Sequence, residues 1–385
     1  MTSVKFIRCA AAAGLILVGM GAPAGVWAQS VPFVTGVTGT LQAGANLVIA
    51  GTGFGTKPVA APVKWDDFEG GTTGSVVSNG WALTEGHTSP GVAHYPIYST
   101  AVLRPNSTRS VQARFDEGTV PGCTELEGCQ TGSSFGIQHR AMPEIYVDAW
   151  VNFAPASPEP RNVKLMRVHT NTFAPNLYFN IYCFTDTDGA RLGQDGGGTN
   201  VTLPPTPWRG SSFFNRNWRH IQMYLRESSP GLSDGAAVLT IDNVTAVNRV
   251  GNYMTRTDAS QYWDTVWLGN WVGHNPLYSC LASPGNTFIY WDDAYIDNSR
   301  AHVEIGDAAT YSACTVREIQ IPSAWNSSAI TVRVHPGSFT NLTNTYLYVT
   351  DQNGNVNANG YRLVGGTGDL LSPATVQDLR PKTGS

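Results

Sequence analysis

The chain reads as an all-β protein built from antiparallel strands in sandwiches. Three observations point there. The composition holds 41 Gly, 23 Pro and 10% aromatic residues against only 14% charged ones, unlike helical chains rich in Lys, Glu and Ala. Strand-length runs alternate apolar with polar residues, and loops rich in Gly, Pro, Asn and Asp separate them. No convincing amphipathic helix and no internal repeat interrupts the series.

Taken in order, residues 1–28 read as a secretory leader. Lys5 and Arg8 precede the apolar run Ala10–Met20, and Val26, Trp27 and Ala28 give a small-x-small cleavage site before Gln29. No later run reaches membrane-span length, so a secreted protein, periplasmic or extracellular, is expected. At 385 residues there is room for two domains. A formal net charge of −4 leaves no polybasic footprint, which argues against nucleic acid. Aromatic, amide-rich surfaces of modest charge suit a polysaccharide partner, and a monomer is expected.

Residues 31–64 read as short strands, with "NLVIAGTGFGTK" running into Gly51, Gly53 and Gly55. From Tyr146 to Asp297 the strand signals follow one another: "YVDAWVNF", "VKLMRVHT", "NLYFNIYCF", "WRHIQMYLR", "AVLTIDNV", "DTVWLGNW" and "TFIYWDDAYID". After Asp307 the pattern changes to "REIQIPSAWNSSAITVRVHPGSF" and "TYLYVTDQNGNVNANGYRL".

The two flanks resemble the halves of an Ig-like domain of the IPT/TIG type. "VTGVTGTLQAGANLVIAGTGFG" is similar to its opening strands, and the stretch after Asp307 to its later ones. The resemblance implies one small Ig-like β-sandwich, residues 29–64 plus 308–366, with 367–385 as a flexible C-terminal tail. Insertion at a loop tip is tolerated because the two ends lie close in space. The insertion, 65–307, resembles the concanavalin A-like jelly roll of lectins, glucanases and polysaccharide lyases. "WDDFEGG" is similar to that family's opening strand, "WRHIQMYLRESSPGLSDGAAVLTIDN" to its paired strands and "TFIYWDDAYID" to its closing strand. Alginate-lyase-like and heparinase-like members fit its length and rhythm best.

Alternation assigns faces. Val147, Ala149, Val151, Phe153, Leu177, Phe179, Ile221, Met223 and Leu225 form the expected core. Opposite them lie Tyr146, Asp148, Trp150 and Asn152; Tyr178, Asn180 and Tyr182; and His220, Gln222, Tyr224 and Arg226. These three strands are expected to line one concave groove, with Arg167 and His169 beside it, Lys164 at its entrance and Trp271 in a binding loop. Aromatic faces stack on sugars, while amide and guanidinium groups read hydroxyls and carboxylates.

The glucanase motif of spaced carboxylates, E-x-D-x-x-E, is missing, which disfavours hydrolysis. The lyases of this fold use Arg, Gln, Asn or His to neutralise a uronate carboxylate and a His or Tyr as base, so β-elimination on a uronic-acid polysaccharide is the implied reaction. The catalytic candidates are His220, His169, Tyr178, Tyr182 and Arg167. The binding candidates are Gln222, Asn180, Tyr224, Arg226, Lys164, Tyr146, Trp150 and Trp271. The literal lyase motifs "QIH" and "YxKxGxYxQ" are absent. A glycan-binding, lectin-like module or a cell-surface adhesion module is the competing reading.

This chemistry requires no cofactor. Jelly rolls of this superfamily often hold a structural calcium where first and last strands meet, and Asp66, Asp67, Glu69, Asp292 and Asp293 are the candidate ligands. Of six cysteines, Cys9 lies in the leader. Cys123 is expected to pair with Cys129 and Cys280 with Cys314, leaving Cys183 as a buried thiol.

Overall fold

The computed structural model describes residues 31–84, 94–117, 130–131, 133–154, 162–172, 177–181, 190–194, 201–202, 215–273 and 285–364. The leader 1–28, the tail 367–385, Tyr182, Cys123, Cys129, Cys183 and Cys280 lie outside the described residues. The fold is all-β and antiparallel, with three sheets. No helix among the described residues is long and apolar enough to cross a membrane.

A seven-stranded sheet joins both ends of the described chain. It contains β1 (Phe33–Gly39), β2 (Asn46–Thr52), β19 (His302–Gly306), β20 (Arg317–Trp325), β21 (Ala329–Arg333), β22 (Tyr346–Thr350) and β23 (Tyr361–Arg362). The order is β1-β2-β21-β20-β19-β22-β23. β20 is the corner: Arg317–Gln320 pair with β19, then the register breaks between Pro322 and Ala324 as the strand passes to β21. Proline has no N–H for the ladder, so it sits where pairing is interrupted. The two halves thereby share one core of Val37, Leu47, Ile49 and Phe54 with Val303, Ile305, Leu347 and Val349.

The middle of the chain forms the larger sandwich. One of its sheets, called here the junction sheet, holds β3 (Lys64–Asp66), β5 (Ile97–Ser99), β6 (Ser110–Glu117), β9 (Glu144–Ala154), β14 (Trp218–Arg226), β15 (Ala236–Ile241), β16 (Val244–Val250) and β18 (Gly285–Asp297). Its order is β16-β15-β14-β9-β18-β6-β5, with β3 also on β18. The other, the open sheet, holds β4 (Ala82–Thr84), β7 (Gln130–Thr131), β8 (Ser134–Ile137), β10 (Asn162–Thr170), β11 (Leu177–Ile181), β12 (Ala190–Gln194), β13 (Val201–Thr202) and β17 (Trp263–Gly273). Its order is β13-β12-β11-β10-β17-β8-β4, with β7 on β17.

The expected core residues of β9, β11 and β14 are all buried in one cluster with Val163, Leu165, Met166 and Val168 of β10. Each Val, Leu, Ile, Phe or Met side chain among them contributes about 1.5–3 kcal/mol on burial. Alternation therefore reads the inward faces correctly.

Two expectations need correction. β11 belongs to the open sheet and β9 and β14 to the junction sheet, so the three strands do not line one groove. β19 begins at His302 within the segment assigned to the insertion, because no loop-rich break separates it from β18 in the sequence.

The chain leaves the small sheet past Lys57 and returns past Asp297. Lys57 Nζ lies 2.5 Å from Asp297 Oδ2, with both side chains fully buried. It also donates to the Val59 and Ala60 carbonyls at 3.1 and 2.9 Å, and Tyr295 Oη donates to the same carboxylate. Burial pushes the ammonium pKa down against the pull of Asp297.

Candidate functional site

The residues marked by the sequence fall on two outward faces, and their surroundings differ. The first is the outward face of the junction sheet, which β19 and β20 of the small sheet cover. His220 is 2% exposed. Its Nε2 lies 2.8 Å from Asp148 Oδ1, and its ring stacks on Trp150 at 4.7 Å. Burial opposes a charge on His220, but Asp148, its hydrogen bond, Glu318 and Glu304 hold the pKa above the usual histidine range. His220 is therefore held against Asp148 in a closed, fully buried contact under the small sheet.

Gln222 extends this network. Its Nε2 lies 2.9 Å from Tyr146 Oη, 2.8 Å from Asp148 Oδ2 and 2.9 Å from Glu304 Oε1, while its Oε1 accepts from Arg317 at 3.0 Å. Glu304 also accepts from Arg317 Nε at 3.0 Å and Tyr311 Oη at 2.9 Å. Despite the burial that opposes its ionisation, Arg317 and His302 keep its carboxyl well below the usual carboxylate range. A buried polar network of this kind is stable only because nearly every member has a partner. It joins the two sandwiches and replaces the solvent-open groove expected from Tyr146, Trp150, His220 and Gln222. Tyr224 donates to Glu144 at 3.2 Å, and Arg226 at the strand's end donates to the Asp234 carbonyl at 3.0 Å.

Part of this face still meets solvent. A cleft of about 230 Å³ opens between the sandwiches, lined among others by Tyr146, Gln222, Tyr224, Arg300, Tyr311 and Arg317. The Arg300 guanidinium lies over the Tyr224 ring at 4.9 Å.

The second face is the outward side of the open sheet. "VKLMRVHT" is ambiguous by alternation, and a β-bulge resolves it. The register slips between Lys164 and Met166 against both β11 and β17, so Leu165 and Met166 both turn into the core. Lys164, Arg167 and His169 are left half-buried, as expected for Arg167 and His169. The His169 pKa is lowered to about 3, first by burial and then by the Arg167 and Lys164 charges. Its imidazole is neutral at any ordinary pH.

Register places other candidates next to these. Tyr178 stands opposite Arg167 and Asn180 opposite Lys164 on β11, and Trp267 and Trp271 hold the matching positions on β17. Trp267 is 4% exposed but lies outside the apolar clusters. A Cβ on Gly136 would fall 1.9 Å from the Val266 carbonyl oxygen and 2.9 Å from the Trp267 ring, so only glycine lets β8 approach β17 this closely beside the indole. Arg191 on β12 stands opposite Asn180. Sequence reading missed Arg191. The short alternation "ARLGQ", with Leu192 inward, was its only signal.

Comparison with known proteins adds the following. No protein-family model matches the chain, and no curated protein matches it. Among solved structures, a mutant alginate lyase in complex with an alginate trisaccharide overlays with a TM-score of 0.39 at 17% identity, covering 50% of this chain and 83% of that one. An endo-β-1,4-glucuronan lyase from the fungus Trichoderma reesei gives 0.40 at 12% identity, covering 61% and 95%. An alginate lyase from a Chlorella virus gives 0.37 at 13%, covering 51% and 88%. The chemistry of this chain has to be read from its own side chains.

Of the calcium ligands expected from the sequence, Asp67, Glu69 and Asp293 line one cleft, while others are engaged elsewhere. Asp66 accepts from the Phe68 amide, Asn79 and Trp81, and Glu69 clamps Thr108 and Arg109. Asp292 lies next to Asp293 but forms no ligating group with Asp66 or Glu69 among the described residues. The Cys280–Cys314 bridge is also corrected: Cys314 is a free, buried thiol. Its Sγ lies 3.5 Å from the Thr310 carbonyl and 3.7 Å from that of Ala308. The tight Thr310–Cys314 turn thus provides its partners.

Proposed function

We propose that the protein is a secreted polysaccharide lyase whose open sheet binds a uronic-acid polymer and cleaves it by β-elimination. The observation that carries this reading is the contrast between its two marked histidines. His169 is half-buried on the open sheet, with its pKa lowered by burial and by the Arg167 and Lys164 charges, whereas His220 is closed off against Asp148 beneath the small sheet.

In this reading Arg167 and Lys164 neutralise the uronate carboxylate, which acidifies the C5–H bond. His169 takes the C5 proton. The released electron pair forms C4=C5, the C4–O4 bond breaks, and the leaving oxygen takes a proton from Tyr178 or water. Asn180, Arg191 and Trp271 belong to the sugar-binding surface. The small sandwich is a split Ig-like module of the IPT/TIG type, anchored through the Gln222–Glu304–Arg317 network.

The test is a panel of uronic-acid polysaccharides followed by ultraviolet absorbance. A lyase creates an unsaturated uronate and a rising signal. The second reading, a glycan-binding module, is favoured by the junction cleft, whose tyrosine, glutamine and arginine lining suits a sugar without supplying a neutral base. It predicts polymer binding with no rise in absorbance.

A further inference from the structure

Asp293, Glu318 and His335 come from three separate segments and meet at the junction of the two sandwiches. One ligand atom from each lies within 4.8 Å of the others. Asp293 stands on β18 at a register break and has a φ of +48°, a left-handed conformation held against its cost. Glu318 is in the sheet-changing strand β20, and His335 follows β21.

The carboxylate of Glu318 is used asymmetrically. Oε1 accepts from Arg104 at 2.6 Å, from the Ser338 amide at 2.9 Å and from Ser338 Oγ at 2.6 Å. Oε2 has no hydrogen-bond partner, although the side chain is only 1% exposed. A buried carboxylate oxygen without a donor is rare in a folded protein and calls for an ion or water. A Cβ on Gly337 would fall 2.3 Å from that oxygen, and its φ of +54° also suits glycine. The loop therefore keeps the space beside Oε2 clear. His335 Nε2 lies 3.1 Å from Asp293 Oδ2 but makes no aligned hydrogen bond.

We propose that Asp293, Glu318 and His335 form a site for a divalent transition-metal ion that clamps the two sandwiches together. Two carboxylate oxygens and one imidazole nitrogen suit zinc, manganese or iron, whereas calcium prefers oxygen alone. Charge fits as well. Arg104 contacts both Asp293 and Glu318 and offsets one of the two negative charges, leaving one for the cation. Arg104 stacks over Trp150 at 3.9 Å, so it acts as a fixed outer partner that orients both carboxylates. Access is through a cleft of about 360 Å³, lined by Asp67, Asp293, His335 and Gly337 among others. Asp67 or water completes the coordination from that side. This inference does not depend on the lyase reading.

The experiment is calorimetric titration of tag-free, chelator-treated full chain with Zn²⁺ and, separately, Mn²⁺. Thermal unfolding of the same samples follows. The proposal expects one equivalent of at least one ion to bind and to raise the unfolding temperature. His335→Gln and Glu318→Gln, each with wild-type circular dichroism, are expected to weaken that binding at least tenfold. Wild-type protein that binds neither ion overturns the proposal without any variant. Binding that survives unchanged in both folded variants overturns it equally.

Discussion

His169 and His220 stand on opposite sheets of one sandwich, and their surroundings shift their pKa values in opposite directions. The His169 pKa is pushed down to about 3 by burial beside Arg167 and Lys164, while Asp148 raises that of His220 against the effect of its burial. Two histidines that look equivalent in the sequence therefore have different surroundings: one is half-buried on the outward face of the open sheet, and the other is closed off between the junction sheet and the small sheet.

The pH dependence of stability follows with opposite signs. The folded pKa of His220 is raised above its unfolded value near 6.5. Its contribution is fully present below pH 6.5 and lost as pH rises through the folded pKa. His335 beside Asp293 acts in the same direction. His169 is depressed, so its contribution is present above pH 6.5 and fades as pH falls toward 3. Thermal unfolding across pH checks this: His220→Gln flattens the alkaline decline, and His169→Gln flattens the acid one.

His220→Ala removes the imidazole from Asp148, a carboxylate only 1% exposed, and leaves it Gln222 and Tyr146 on its other oxygen. Breaking a buried pair from one side costs about 3–5 kcal/mol. Urea unfolding is expected to show a loss of that order, with the midpoint moving rather than the slope.

Lys57→Met leaves Asp297 buried without its ammonium, at the point where the chain enters and leaves the small sandwich. A loss of about 3–5 kcal/mol is again expected. Proteolysis of the variant is predicted to cut first near this crossover. Lys57→Met/Asp297→Leu, which removes both charges, should recover most of the stability.

Cys314 is buried and its thiol pKa is raised by that burial. Iodoacetamide treatment of native protein is expected to leave the Cys314 peptide unmodified, and denaturant to expose it, as read by mass spectrometry.

Inward faces were legible in the sequence because a strand's alternation is set by its own core contact. Val147, Ile221 and Phe179 all lie where that rule puts them. Sheet membership was not legible. The pattern of β11 looks the same whichever sheet it joins, and only pairing with β10 and β12 decides it. The polar stripe His220, Gln222, Tyr224 also carries no mark of its cover. Glu304 and Arg317, which cover it, lie 82 and 95 residues from Gln222 along the chain. Glu304 alternates with the apolar Val303 and Ile305, which hinted at a second polar surface without naming its partner, whereas Ile319 shares the face of Arg317. The bulge at Leu165 was hidden for a different reason: an extra residue in a strand breaks the period of two that reading relies on.

The most direct test of the account is the initial rate of unsaturated-uronate formation by wild type, His169→Ala and His220→Gln on one uronic-acid polymer. Positioned proton transfer contributes about 10²–10⁴-fold. The account predicts that His169→Ala loses a factor in that range while its unfolding temperature and polymer affinity stay near wild type. His220→Gln, assayed below its own unfolding temperature, retains its rate. Absence of any absorbance rise with wild type, or cleavage by His169→Ala at the wild-type rate, contradicts it.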